Sequence, residues 1–122
     1  MYRIKVKRSF SSAHRLRGYK GKCENLHGHN WDVEVTAGSF RLDKLGMVLD
    51  FGDLKKIVDD VIAGLDHICL NDHPYFKKIN PSSESLSRFF FDQVRKRLPR
   101  GVKLFEVAIA ETPNNVAVYT PS

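Results

Sequence analysis

The chain has 122 residues, 42% of them hydrophobic, and 20 Lys and Arg against 14 Asp and Glu give a formal net charge of +6. That length holds a single domain over residues 1–122 with a moderate core and argues against a second, while the positive charge suits either a nucleic acid or a polyanionic small substrate and does not choose between them. No run approaches the ~20 apolar residues that span a bilayer and no apolar leader opens the chain, so a cytoplasmic protein with reduced thiols and no membrane partner is expected.

From Tyr2 to His14 the even positions Tyr2, Ile4, Val6, Arg8, Phe10, Ser12 and His14 alternate with Arg3, Lys5, Lys7, Ser9, Ser11 and Ala13. This is the period of a strand, with His14 on the apolar-facing register. Gly18 to Gly21, with Arg17, Lys20 and Lys22, reads as a polar loop. A second alternation sets His27, His29, Trp31, Val33 and Val35 against Asn30, Asp32, Glu34 and Thr36. Both histidines therefore share the core-facing side of a second strand, and Gly28 is expected to admit a close backbone approach on the other face.

Gly38 to Gly46 is a connection, after which Asp50 reads as an N-cap with Asp53 in the first turn. Leu54, Ile57, Val58, Val61, Ile62 and Leu65 recur at three and four residues, predicting a helix from about Phe51 to Gly64. Asn80-Pro81-Ser82-Ser83-Glu84 starts a second helix that carries Leu86, Phe89, Phe90, Val94 and Leu98 and is stopped by Pro99 and Gly101. Phe91 falls off that stripe and is expected at a subunit contact. Phe105, Val107, Ile109 and Glu111 then share a face, followed by a turn at Pro113-Asn114-Asn115 and a closing strand from Val116 to Tyr119. The order ββααββ predicts an α+β fold, a four-stranded antiparallel sheet with two helices on one face. Its two open edges would be protected by joining the sheets of neighbouring copies.

His14, His27 and His29 carry the chemistry. His14 precedes His27 by thirteen positions, and all three fall on the inward register of two strands; the bland alternative, histidines satisfied in a core or at a surface, places them there by chance. Three imidazoles without a fourth protein ligand are the pattern of an open catalytic site, with Zn²⁺ the default metal and nickel, copper or iron acceptable to the same ligands. Cys23, with three residues between it and His27, can be read as the ligand that closes the site or as a low-pKa thiolate acting as base or nucleophile beside it. Cys69, in Ile68-Cys69-Leu70, reads as a buried, inert thiol, and a disulfide to Cys23 as the weaker alternative. In Asp66-His67 a carboxylate can orient an imidazole for acid–base work, although any such dipeptide also suits a helix end. Glu111 puts a carboxylate where an apolar residue is expected, and a ligand presenting two N–H donors would satisfy it; otherwise it is a strand-end side chain turned to solvent.

Phe10-Ser11-Ser12-Ala13-His14, Cys23 with His27-Gly28-His29, Met47-Val48-Leu49-Asp50-Phe51, Leu65-Asp66-His67, Leu70-Asn71-Asp72, Asn80-Pro81-Ser82-Ser83-Glu84 and Glu111-Thr112 together closely resemble the 6-pyruvoyl-tetrahydropterin synthase family over essentially the whole chain. The resemblance implies a tunnelling fold in which sheets of several subunits close into a barrel, dimers of trimers form a homohexamer, and active sites lie between subunits. It implies His14, His27 and His29 as zinc ligands, Cys23 as catalytic base, Asp66 and His67 as a proton-relay pair, and Glu111 as the anchor of the pterin. The three-residue step from Cys23 to His27 resembles that of the 6-carboxy-5,6,7,8-tetrahydropterin synthases. These are zinc-dependent carbon–carbon lyases that convert 7,8-dihydroneopterin triphosphate with release of acetaldehyde and triphosphate on the route to queuosine and other 7-deazapurines. Pyruvoyl-forming members have a five-residue step and a folate-related group has Glu in place of Cys, and Glu24 adjoins Cys23 here. The basic loop of Arg15, Arg17, Lys20 and Lys22 is the candidate for holding the triphosphate. A more distant alternative, a basic zinc-dependent nucleic-acid-binding module, calls for a closed metal site and for aromatics exposed beside the charges, whereas most aromatics here fall on apolar stripes. The partners expected are therefore the pterin triphosphate and further copies of the chain, with no nucleic acid.

Overall fold

A computed structural model describes residues 1–19 and 25–122; Lys20, Lys22, Cys23 and Glu24, with the expectations placed on them, lie outside the described residues. Strands β1 (Tyr2–His14) and β2 (His27–Ser39) pair antiparallel along their whole length, from Tyr2 opposite Ser39 to His14 opposite His27. Helix α1 (Phe51–Ile62) and helix α2 (Ser83–Arg97) follow, then strands β3 (Lys103–Thr112) and β4 (Asn115–Tyr119), giving the sheet order β1-β2-β3-β4. Both helices bury their apolar stripes on the same sheet face, α1 over β1 and α2 over β3 and β4. Leu54, Val58 and Val61 of α1 and Leu86, Phe90 and Val94 of α2 thus close on Val6, Phe10, Trp31, Val33, Val35, Val107 and Ile109. Burying each such side chain contributes about 1.5–3 kcal/mol, so this interleaving sets the strand register as well as the fold.

Local chemistry sets the helix ends. Asp50 Oδ1 accepts the Gly52 amide at 2.7 Å, and Ser82 Oγ accepts that of Ser85 at 3.1 Å, each satisfying a first-turn donor that the helix cannot. α1 stops at Ile62, two residues before the expected Gly64, because the amides of Leu65 and Asp66 both turn back to the Ile62 carbonyl, at 2.8 and 3.0 Å. Arg8 sits on the inner register of β1 among apolar residues, and its guanidinium forks onto Asp59 of α1 at 2.8 and 3.0 Å. The pair is half exposed, so its worth is about 1 kcal/mol or less, but it ties the strand to the helix.

Four expectations need correction. Phe91 is 2% exposed and meets the Tyr119 ring edge-on at 5.1 Å: α2 lies over β4 as well as β3, so its apolar arc is wider than one stripe and Phe91 is core rather than a subunit contact. Phe105 does not share the Val107 face. The pairing steps from Thr36–Glu106 to Ala37–Leu104, leaving Phe105 as the extra residue of a β-bulge, so that Leu104 takes the buried position and Phe105 lies beneath the Arg3 guanidinium at 4.1 Å. Gly28 makes no close approach among the described residues, since a Cβ there would meet only the Ser12 carbonyl at 4.0 Å. The crowded glycine is Gly38, whose Cβ would stand 2.7 Å from the Phe105 ring and against the Tyr2 carbonyl. Cys69 is half buried rather than sealed, forming a parallel bridge with Ala13 on the outer edge of β1. Among the described residues no helix is long and apolar enough to cross a membrane.

Candidate active site

The β1–β2 register places His14 directly opposite His27 and pairs His29 with Ser12, so the three imidazoles form a triangle with ring centroids 4.6, 4.7 and 5.2 Å apart. Trp31, fully buried, is its floor, standing edge-on to His14 at 4.8 Å and to His29 at 5.1 Å, with its indole N–H on the Ser12 carbonyl at 3.1 Å. Two main-chain carbonyls orient the rings. His14 Nδ1 donates to the Pro81 carbonyl at 2.7 Å and His27 Nδ1 to that of Asn25 at 2.6 Å, which turns the Nε2 lone pair of each inward. Burial, as the leading cause, lowers the pKa of His14 and of His29, with the Pro81 bond opposing it at the first and the Glu111 charge at the second. Both rings are thereby held in the neutral form that ligates metal.

Glu111 reaches the same point from β3. The β3–β4 pairing steps from Ala110–Val116 to Thr112–Asn115, so Glu111 is the extra residue of a second bulge, beyond the last β2 pair at Asp32–Ala110. One carboxylate oxygen lies 3.3 Å from His14 Nε2 and 3.3 Å from His29 Nε2. His29 Nε2 is buried and has no hydrogen-bond partner among the described residues, and a buried, unpartnered imidazole nitrogen beside other ligand atoms is what a metal centre provides for. Ligand atoms of His14, His27, His29 and Glu111 all lie within 4.8 Å of one another, a set of imidazoles and a carboxylate that fits zinc. On its other side Glu111 borders an open cavity of about 440 Å³ with Ser83, Glu84 and Asn115.

Asp66 and His67 do not join the histidine cluster; they line the outer edge of β1. The amide of Ser11 donates to Asp66 Oδ1 at 2.9 Å, the Ser11 carbonyl accepts from the His67 amide at 2.6 Å, and His67 Nδ1 meets Asp66 Oδ1 at 2.9 Å. The Ser11 amide first, and then His67, hold the Asp66 carboxyl below its ordinary pKa. His67 has a left-handed φ of 57°, a costly conformation for a residue with a Cβ that these bonds stabilise, and its ring is largely exposed. His67, His29, Gly28, Asn30 and Cys69 border a common open cavity of about 540 Å³.

Two asparagines hold the backbone that follows β1. Asn71 accepts from the Arg15 amide at 2.9 Å and donates to its carbonyl at 3.0 Å, and Asn80 does the same for Arg17, at 2.9 and 3.0 Å. Each side-chain amide stands in for a neighbouring strand. The Arg17 guanidinium donates to the Phe76 carbonyl at 2.6 Å and lies 3.4 Å from those of Asn71 and Ile79. Arg15, Arg17 and Lys77 border an open cavity of about 720 Å³ with Asn25 and Asp72. The one available signal for these positions was the pairing of Asn71 and Asn80 with turn-forming neighbours; periodicity reports only packing faces.

A meander interrupted by two helices, with imidazoles converging from adjacent strands beside a bulged glutamate, narrows the class to small α+β proteins with a candidate metal centre. The chain belongs to the 6-pyruvoyl tetrahydropterin synthase family, whose model matches residues 3–122. It is similar to the 6-pyruvoyl tetrahydrobiopterin synthase of Homo sapiens, 38% identical with 91% of this chain and 86% of that one covered. It is equally similar to a putative 6-carboxy-5,6,7,8-tetrahydropterin synthase of Archaeoglobus fulgidus, 38% identical over 93% of this chain and 91% of that one. Among solved structures, the Caenorhabditis elegans 6-pyruvoyl tetrahydropterin synthase superposes with a TM-score of 0.85 at 34% identity, covering 100% of this chain and 98% of the other.

Proposed function

We propose that the protein is a 6-carboxy-5,6,7,8-tetrahydropterin synthase, taking 7,8-dihydroneopterin triphosphate to 6-carboxytetrahydropterin with release of acetaldehyde and triphosphate, in a homohexamer built as a dimer of trimers. The observation that carries the reading is the convergence of His14, His27 and His29 beside Glu111, between carbonyls that fix the ring tautomers and a cavity wide enough for a bicyclic ring. Zinc, held by the three imidazoles, would supply a Lewis acid toward the hydroxyls of the substrate side chain. Glu111 would accept the two N–H donors of the pterin's amino-pyrimidinone edge, fixing the ring in the cavity it borders. His67, oriented by Asp66 and exposed, would carry a proton to or from the substrate side chain, and Cys23 would act as base from its loop. Arg15, Arg17 and Lys77 are the cations placed to meet the triphosphate. Exposed Val116 and Val118 on short β4, with Phe40 and Leu45, support assembly with further copies.

The three-residue step from Cys23 to His27 favours the carboxy-forming reaction, while relatives named 6-pyruvoyl tetrahydrobiopterin synthase favour a pyruvoyl-forming one on the same substrate. Mass spectrometry after anaerobic incubation with 7,8-dihydroneopterin triphosphate decides between them. 6-Carboxytetrahydropterin with acetaldehyde is the expected result; 6-pyruvoyltetrahydropterin would establish the second reading, and unchanged substrate would end both. Cys23→Ala is expected to keep the metal and lose most turnover.

A further inference from the structure

We propose that Glu111 is the fourth ligand of the metal in the substrate-free protein and that it leaves the metal for the pterin when substrate enters. The proposal rests on reading the histidine cluster as a metal centre and adds to it a second, alternating role for the pterin anchor.

Three atom pairs carry it. His14 Nε2 lies 3.1 Å from His27 Nε2, and one Glu111 oxygen lies 3.3 Å from His14 Nε2 and 3.3 Å from His29 Nε2. With zinc bonds of 2.0–2.1 Å, the edge of a coordination tetrahedron is ~3.3–3.4 Å. These separations are thus close to those of ligands that share one ion. They do not suit hydrogen bonds: the ring protons of His14 and His27 are on Nδ1, committed to the Pro81 and Asn25 carbonyls, so their Nε2 atoms present lone pairs to each other. His14 Nε2 likewise presents a lone pair to the carboxylate, and His29 Nε2 makes no hydrogen bond. Lone pairs facing one another at such distances repel unless a cation lies between them.

The backbone has been bent to bring the fourth ligand in. Glu111 is the unpaired residue of the bulge between Ala110 and Thr112, a device that re-aims a side chain without moving the strands on either side. The same carboxylate is partly exposed and borders the cavity shared with Ser83, Glu84 and Asn115, so rotation about its own side-chain bonds carries it from the imidazoles to a ligand in that cavity. A ring that offers two N–H donors there draws the carboxylate away and leaves the fourth metal position open to the substrate's side-chain oxygens. Opening of the centre is in this way coupled to recognition of the ring.

Cobalt(II) spectroscopy of the purified full-length chain tests this without turnover. The substrate-free protein should give the intense d–d bands of a four-coordinate ion. Glu111→Ala and Glu111→Gln should shift those bands and weaken cobalt binding at least tenfold, with unchanged far-UV circular dichroism reporting that the variants fold. A non-reactive pterin with a dihydroxypropyl side chain should shift the bands of the unsubstituted protein and much less those of Glu111→Ala. Bands and affinity unaltered in both Glu111 variants would overturn the proposal. So would a thiolate-to-cobalt charge-transfer band that disappears in Cys23→Ser, which would give the fourth position to Cys23. If His14→Ala and His29→Ala bind cobalt like the unsubstituted protein, the metal-centre reading itself fails and takes the proposal with it; loss of cobalt in those two with no effect at Glu111 sinks the proposal alone.

Discussion

His14 and His29 look alike as ligands, yet their surroundings predict opposite effects on the metal-free protein. His14 is 1% exposed, donates from Nδ1 to the Pro81 carbonyl at 2.7 Å, and packs edge-on to Trp31 at 4.8 Å. Replacing it by Ala removes that bond, strands a buried carbonyl at a cost of about 1–3 kcal/mol, and opens a void over the indole. A loss near 3 kcal/mol is expected. His29 has a buried Nε2 without a partner and a ring that is 17% exposed, so His29→Ala removes an unsatisfied atom along with some packing and should change stability by about 1 kcal/mol or less. The difference of about 2 kcal/mol corresponds to a ~30-fold change in the folded-to-unfolded ratio and, with an m-value near 2 kcal/mol/M, to about 1 M urea in the midpoint. The assay is urea unfolding after chelation, at a fixed protomer concentration because any assembly would shift the apparent midpoint. With zinc added, both variants should hold less of it than the unsubstituted chain. Equal midpoints for the two chelated variants would refute the view that the Pro81 carbonyl makes His14 a structural as well as a ligating residue.

Asp66 predicts a pH signature. Its carboxyl titrates below the ordinary 3.8 in the folded chain, chiefly because the Ser11 amide bonds the charged form, so its stabilising contribution is complete above that value and is lost as pH falls through the lower folded value. Stability relative to Asp66→Asn should therefore converge on the acid limb; a gap that stays constant well below pH 3.8 would assign the effect to something other than the carboxylate. Gly38→Ala should destabilise by about 1–3 kcal/mol, since its Cβ meets the Phe105 ring at 2.7 Å and an unyielding Tyr2 carbonyl, and a truncated ring in Gly38→Ala/Phe105→Ala should recover part of that loss in thermal unfolding.

The amino-acid order alone settles whatever depends on local period and end chemistry. β1 and β2 follow from alternation, α1 and α2 from apolar spacing and from the Asp50 and Ser82 caps. The inward register of His14, His27 and His29 is legible for the same reason: on a strand every second residue shares a face whatever the rest of the chain does. What the tertiary structure decided are the places where that count breaks or where distant segments meet. The bulge at Phe105 inserts a residue into β3 and reverses which side chain faces in, so that Leu104 is buried in its place, an event set by pairing with β2 that no single strand encodes. The breadth of the buried arc on α2, which takes in Phe91, depends on β4 extending the sheet beneath it, with Tyr119 against the Phe91 ring. Orientation of the His14 ring by the Pro81 carbonyl, and of the Arg15 and Arg17 backbone by Asn71 and Asn80, joins residues more than fifty positions apart through main-chain atoms, and main-chain atoms carry no side-chain pattern to read.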